Sequence, residues 1–223
     1  PGFEGGWTRE TFNGQEYGEI FVPEGWVAFW KEGGTIPHDP ANHDGYGRPE
    51  MHVINRVDPF LNPPRIRSGS RSAKLFTFYR IHDAGYYQCV TGLVPGSTFK
   101  ALGWAHAWSS SSDAPYCSSG SHVLCDPFFS LEGNPQLDDG DRNFTFMVGI
   151  DPKGGTDPWS EDVVWGPGAH IYNTFFQIPE VTAVAQSSTI TVFVRSTVLW
   201  PFKHCDSLNA GFHLTMVDEP SPE

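Results

Sequence analysis

At 223 residues the chain has the length of one β-sandwich or barrel domain, and 18% charged residues with 24 glycines and 19 prolines leave little room for helix. Fourteen lysines and arginines stand against 26 aspartates and glutamates, a formal charge of −12. That balance excludes the basic excess that grips nucleic acid or an anionic membrane, and no run approaches the ~18 apolar residues of a bilayer span, so membrane insertion is not expected.

In chain order, residues 20–22 open the strand-like runs, and 33–49 form a long loop carrying His38, Asp39, His43 and Asp44. Their spacing matches no zinc pattern, and an exposed polar loop accounts for them. Residues 51–57 and 75–81 alternate apolar and polar positions, the period-two signature of a strand with one face buried. The alternation sharpens in 98–108. Phe99, Ala101, Gly103, Ala105 and Ala107 share one side, small enough to sit against bulky partners on a facing sheet. Leu102, Trp104, His106 and Trp108 share the other, an aromatic and imidazole stripe.

The polar segment between Cys117 and Cys125 makes a disulfide between them the expectation, in an oxidising compartment. Cys89, in a strand-like run, and Cys205, in a late loop, either pair or stay free. Asn143-Phe144-Thr145 fits a glycosylation sequon. Residues 144–150, 189–196 and 212–217 again alternate, whereas 181–186, the nearest approach to a helical period, is too short for a helix. Loops 109–125, 131–143 and 153–168 are long, and loops beyond ~12 residues usually have a function. The expectation is an all-β chain with long aromatic-rich loops and little helix, residues 1–217 forming a single domain and 218–223 an acidic, proline-containing tail or linker.

No Gly-x-Ser-x-Gly elbow, His-Glu-x-x-His helix, phosphate loop or dinucleotide fingerprint is present, and no acidic cluster lies on one strand face. Tyr79-Arg80-Ile81-His82 is the only fragment with the residue types of a jelly-roll lyase. A non-catalytic chain is expected.

The opening Pro1-Gly2-Phe3-Glu4-Gly5-Gly6 resembles the first strand of carbohydrate-binding modules with the galactose-binding-like jelly-roll fold. Val22-Pro23-Glu24-Gly25-Trp26, Ser68-Gly69 followed by Ala73, and Gly85-Tyr86-Tyr87-Gln88 running into Val94-Pro95-Gly96-Ser97-Thr98-Phe99 extend the resemblance. Val148-Gly149-Ile150-Asp151-Pro152 and Gly154-Gly155-Thr156-Asp157-Pro158-Trp159 look like extracellular bacterial domains of the same superfamily. The resemblance implies a jelly-roll type antiparallel β-sandwich, an extracellular or cell-surface setting, and a glycan as partner. It also implies a structural calcium at Glu4, although the Asp-Asp pair that completes such sites is replaced here by Asn209-Ala210-Gly211-Phe212.

A sugar ring offers an apolar C–H face to an aromatic plane, while its hydroxyls need short polar groups. The candidate ligand contacts are therefore Trp104, His106 and Trp108 on the stripe, Trp159 and Trp165 on a loop rim, and Gln88 and Asp151 for the hydroxyls. The alternative is a structural subunit of an extracellular filament, sheath or surface layer, binding copies of itself through aromatic loop residues such as Trp7, Phe12, Trp159 and Trp200.

Overall fold

The computed structural model describes residues 3–12, 15–35, 45–55, 65–110, 143–172 and 174–218. Among them are thirteen strands, no helix and two sheets. One sheet has seven strands in the order β1 (Trp7–Phe12), β2 (Gln15–Pro23), β4 (Glu50–Ile54), β5 (Ser72–Thr77), β13 (His204–Asp218), β7 (Thr98–Ser110), β11 (Phe176–Val184). The other runs β10 (Ala169–His170), β8 (Phe144–Asp151), β12 (Thr189–Val198), β6 (Asp83–Thr91), β3 (Val27–Trp30), with β9 (Val164–Trp165) beside β8. The pairings are antiparallel except that of β2 with β4, where Ile20 lies opposite Met51. Most connections after β2 change sheet, the wrapping expected of a jelly roll.

The alternation read in the sequence becomes the two inner faces. Phe144, Phe146, Val148 and Ile150 of β8 and Ile190, Val192 and Val194 of β12 point inward, and the small residues of β7 make room opposite them. A Cβ on Gly103 would lie 3.5 Å from Phe212 and 3.6 Å from Ile178, ordinary contact distances, so the small stripe is filled rather than hollow. Phe3, Trp26, Tyr86 and Phe212 close one end, with ring centroids 5.3 Å apart for Phe3 and Trp26 and 5.1 Å for Trp26 and Phe212. Burying a side chain such as Phe3 contributes about 2 to 3 kcal/mol.

Several expectations change on contact with the structure. Residues 75–81 do not form one strand: β5 ends at Thr77, because Tyr79 takes a left-handed backbone (φ 52°) that breaks the pleat. Residues 181–184, read as too short for a helix, are indeed not helical and belong to β11, where Val181 and Ala183 are buried between exposed Thr182 and Val184. Cys89 and Cys205 do not pair. Cys89 is exposed, whereas Cys205 is buried beneath the carbonyls of Trp200 and Phe202, and burial pushes its thiol far above the ordinary range. Asn143, the sequon residue, is also buried; its Oδ1 accepts from Trp200 N–H at 2.8 Å and its Nδ2 donates to Ser109 Oγ. Cys117 and Cys125 lie outside the described residues, as do His38, Asp39, His43 and Asp44.

Candidate functional site

Residues directly opposite on paired strands point to the same side of a sheet, so register decides what meets on the outer face. Asp206 of β13 lies opposite both Trp108 of β7 and Phe76 of β5, and Leu208 lies opposite both His106 and Lys74. Since Leu75 and Ala107 face the core, these alternate residues face outward. The result is a lane of rings across three neighbouring strands. Trp108 lies 6.1 Å from His204, His204 stacks on Phe76 at 5.9 Å and meets Phe78 at 5.8 Å, and Phe78 meets Tyr79 edge-on at 4.7 Å. The lane emerges from the protein as it goes: Trp108 is 7% exposed, Phe78 51% and Tyr79 54%. Tyr79, held left-handed with its N–H on the Phe202 carbonyl, is a strained residue carrying an exposed ring, and such strain gathers at ligand sites.

Cations lie over four rings of this face. The Arg65 guanidinium is 5.2 Å from the Trp108 centroid, Arg67 is 3.6 Å from that of Trp104, Lys74 is 4.8 Å from Phe76 and Lys203 is 5.8 Å from Phe78. Lys74 is also ion-paired with Asp206 at 2.9 Å. Arg65 is only 8% exposed, and its Nη1 lies 3.0 Å from Nδ1 and 3.2 Å from Nε2 of the wholly buried His106. A guanidinium has only donors, so the imidazole accepts. Burial pushes the Arg65 pKa down, against the charges of Asp206 and Tyr172. His204 is pushed down too, mainly by burial, with the charges of Lys203 and Lys74 adding to this and that of Asp206 opposing it. Among the described residues, His204 Nε2 and Asp206 Oδ1 of this face are buried polar atoms without a hydrogen-bond partner. Gly211, left-handed (φ 56°) at a bulge in β13, leaves room beside Trp104; a Cβ there would sit 3.2 Å from Arg67 Nη1.

The predicted ligand residues thus divide. Trp104, His106 and Trp108 belong to this outer face, although Arg67 already covers one face of the Trp104 ring. Trp165 and Trp159 lie on the outer side of the other sheet. Trp165 lies on Gly149, where a Cβ would come within 2.7 Å of its ring, and near Phe193; Trp159 meets Phe29 edge-on at 5.8 Å. Beside them Arg195, 5.4 Å from the Trp165 centroid, is held by both oxygens of Asp83 at 2.6 and 2.5 Å. A cleft of about 340 Å³ adjoins this pair between Tyr46, Thr145, His170 and Thr197. Gln88 and Asp151 serve turns: Gln88 donates to the Gly25 carbonyl, and buried Asp151 accepts from Lys153 N–H at 2.8 Å. Tyr79, Arg80 and His82 do not converge, since His82 is fully buried between the sheets on Thr77, Ser196 and Ser207. Of the aromatic residues put forward for self-assembly, Trp7 and Trp200 pack partly buried against the core, and Trp159 is exposed.

At Glu4 the carboxylate accepts from the N–H and hydroxyl of Ser70, each at 2.9 Å, and from Arg71 N–H at 3.2 Å. The Arg71 guanidinium donates to the carbonyls of Glu4 and Gly5, so positive charge at this turn comes from a side chain. Burial raises the Glu4 pKa, and the Ser70 and Arg71 hydrogen bonds with the Arg71 charge outweigh it, leaving the group below the ordinary range. No three His, Cys, Asp or Glu gather as a metal site among the described residues.

The residues of this face that the sequence did not put forward as ligand contacts are Arg65, Arg67, Lys74, Phe76, Phe78, Lys203, His204 and Asp206, and Tyr79 was singled out only within the lyase-like fragment. Alternation in 74–78 and 204–208 carried part of the signal; the register that joins them did not appear in it.

No protein-family model matches the chain, and no curated protein matches it. Among solved structures it is similar to a family-61 carbohydrate-binding module in complex with β-1,4-galactotriose, at 10% identity over 86% of this chain and 89% of that one, with a TM-score of 0.45. It is similar to the CBM22-1 xylan-binding domain from Paenibacillus barcinonensis, at 11% identity over 87% of this chain and 95% of that one, TM-score 0.40. A cyclase from Fischerella sp. TAU in complex with 4-(1H-indol-3-yl)butan-2-one is similar too, at 12% identity over 96% and 90%, TM-score 0.47. At these identities and scores the likenesses assign no ligand and no chemistry, and the sandwich rests on the strand pairing itself.

Proposed function

We propose that the chain is a non-catalytic, extracellular carbohydrate-binding β-sandwich whose binding surface is the outer face of β5, β13 and β7. The observation that carries this reading is the lane Trp108, His204, Phe76, Phe78 and Tyr79, flanked by the unpartnered His204 Nε2 and Asp206 Oδ1. Ring faces suit the C–H side of a sugar, and an imidazole nitrogen and a carboxylate oxygen suit its hydroxyls. A binding role fits Asp206 better than a catalytic one, because Lys74 holds its other oxygen. Trp159 and Trp165, on the opposite face, take no part in this reading.

Affinity electrophoresis through gels cast with soluble polysaccharides tests it. Retardation by at least one polymer is expected, and Phe78→Ala and Tyr79→Asn should each weaken it about fivefold or more. Asparagine is chosen because it tolerates the left-handed backbone. If both variants migrate as the parent does in every retarding gel, the surface is misassigned.

A further inference from the structure

Charge on the proposed binding face runs against the charge of the whole chain. The protein carries a formal −12, yet four cations lie over the rings of this one face. Two of them are balanced poorly. Arg65 is 8% exposed, and among the described residues no carboxylate is ion-paired with it; its hydrogen-bond partner is the His106 ring. Among the described residues Arg67, exposed over Trp104, donates only to the Ser68 hydroxyl, at 3.5 Å. Of the acids nearby, Asp206 acts on Arg65 by its charge without pairing with it and is ion-paired with Lys74, and Glu50 is paired with His52. A cation removed from water without a counter-ion costs several kcal/mol, a cost that an incoming anion offsets. A guanidinium also presents a planar fork that fits a carboxylate or sulfate, and its neighbour on this face is a ring that fits a sugar.

We propose that the ligand of this face is an anionic glycan, bearing a carboxylate or a sulfate that Arg65 and Arg67 receive while the rings of the lane hold the sugar. This rests on the carbohydrate-binding reading and narrows it to a charge class.

The test compares polymers that differ in charge: polygalacturonate against its methyl ester, and dextran sulfate against dextran. At low salt, retardation by at least one charged polymer should exceed that by its neutral counterpart about fivefold or more, and should fall as salt screens the charges. The arm that responds identifies carboxylate or sulfate. Arg67→Gln should remove most of the preference, with Arg65→Gln as the second variant and circular dichroism confirming the fold of each. Lys153→Gln, which removes a cation on the loop beside the opposite sheet, should leave the preference unchanged. Equal binding of charged and neutral polymers overturns the anionic inference and leaves the carbohydrate reading standing. Preference retained in both arginine variants, or lost equally in Lys153→Gln, overturns it too. Absence of retardation by these and all neutral polysaccharides tried overturns both readings.

Discussion

Each of the two sheets sets an arginine against a tryptophan on its outer face, and the two arrangements differ in how the charge is settled. On the six-stranded sheet Arg195 lies near Trp165 and is gripped by both oxygens of Asp83. On the seven-stranded sheet Arg65 and Arg67 lie over Trp108 and Trp104 with no ion-paired carboxylate among the described residues, although the charge of Asp206 acts on Arg65. The same pair of residue types thus makes a closed, self-balanced support in one place and an open, charge-bearing surface in the other. The aromatic ring does not distinguish structure from recognition; the counter-ion does.

Removing a counter-ion breaks the closed face most severely. Asp83→Asn leaves Arg195, whose side chain is 17% exposed, buried without its partner, and should cost about 3 to 5 kcal/mol by urea denaturation. A loss below ~1 kcal/mol would mean that the pair is not the support described. Next in size is the acid response of the layer between the faces. His82 is held to a pKa of about 3 by burial, against an ordinary value of 6.5. Protonation therefore favours the unfolded chain: this contribution is complete above pH ~6.5, shrinks as pH falls toward about 3, and should amount to about 2 kcal/mol lost by pH 5. The urea midpoint of His82→Gln should fall less steeply between pH 7 and 5 than the parent's, and parallel curves would refute the assignment.

Gly149→Ala tests whether Trp165 is seated as a support. Its Cβ would meet the ring at 2.7 Å, and a cost of about 1 to 2 kcal/mol with a change in tryptophan fluorescence is expected. Smallest is Arg67→Ala on the open face, where an exposed cation–ring contact contributes about 0.5 to 1 kcal/mol. A larger destabilisation there would make Arg67 a structural clamp and shrink the contrast between the faces.

What the sequence disclosed follows from the same contrast. Residues 144–150 and 189–196 were legible as strands because their inner faces bury every second residue, and period two survives any register. The end of β5 was not legible, since the apolar pattern continues through Phe78 and Ile81 while the turn is made by the backbone angle of Tyr79. The stripe Trp104, His106, Trp108 could be read from one strand alone. Its extension through His204, Phe76 and Phe78 could not, because Trp108 and Phe76 meet through β13, whose contributing residue, Asp206, stands far along the chain from both. The loop tryptophans 159 and 165 looked like a rim for the same surface, and nothing in their spacing said that they would settle on the other sheet.

β13 follows every other described strand in the sequence and lies between β5 and β7 in the middle of its sheet. During synthesis, β5 and β7 leave the ribosome well before the strand that joins them, so each waits with an unsatisfied edge. The proposed binding face has no existence until residues 204–218 arrive, because His204 and Asp206 are the stitches between its two halves. A nascent chain arrested before that point would carry Trp104, Trp108, Phe76 and Phe78 as separate apolar fragments, open to chaperones and to one another, and the arrival of β13 ends that exposure as it completes the surface.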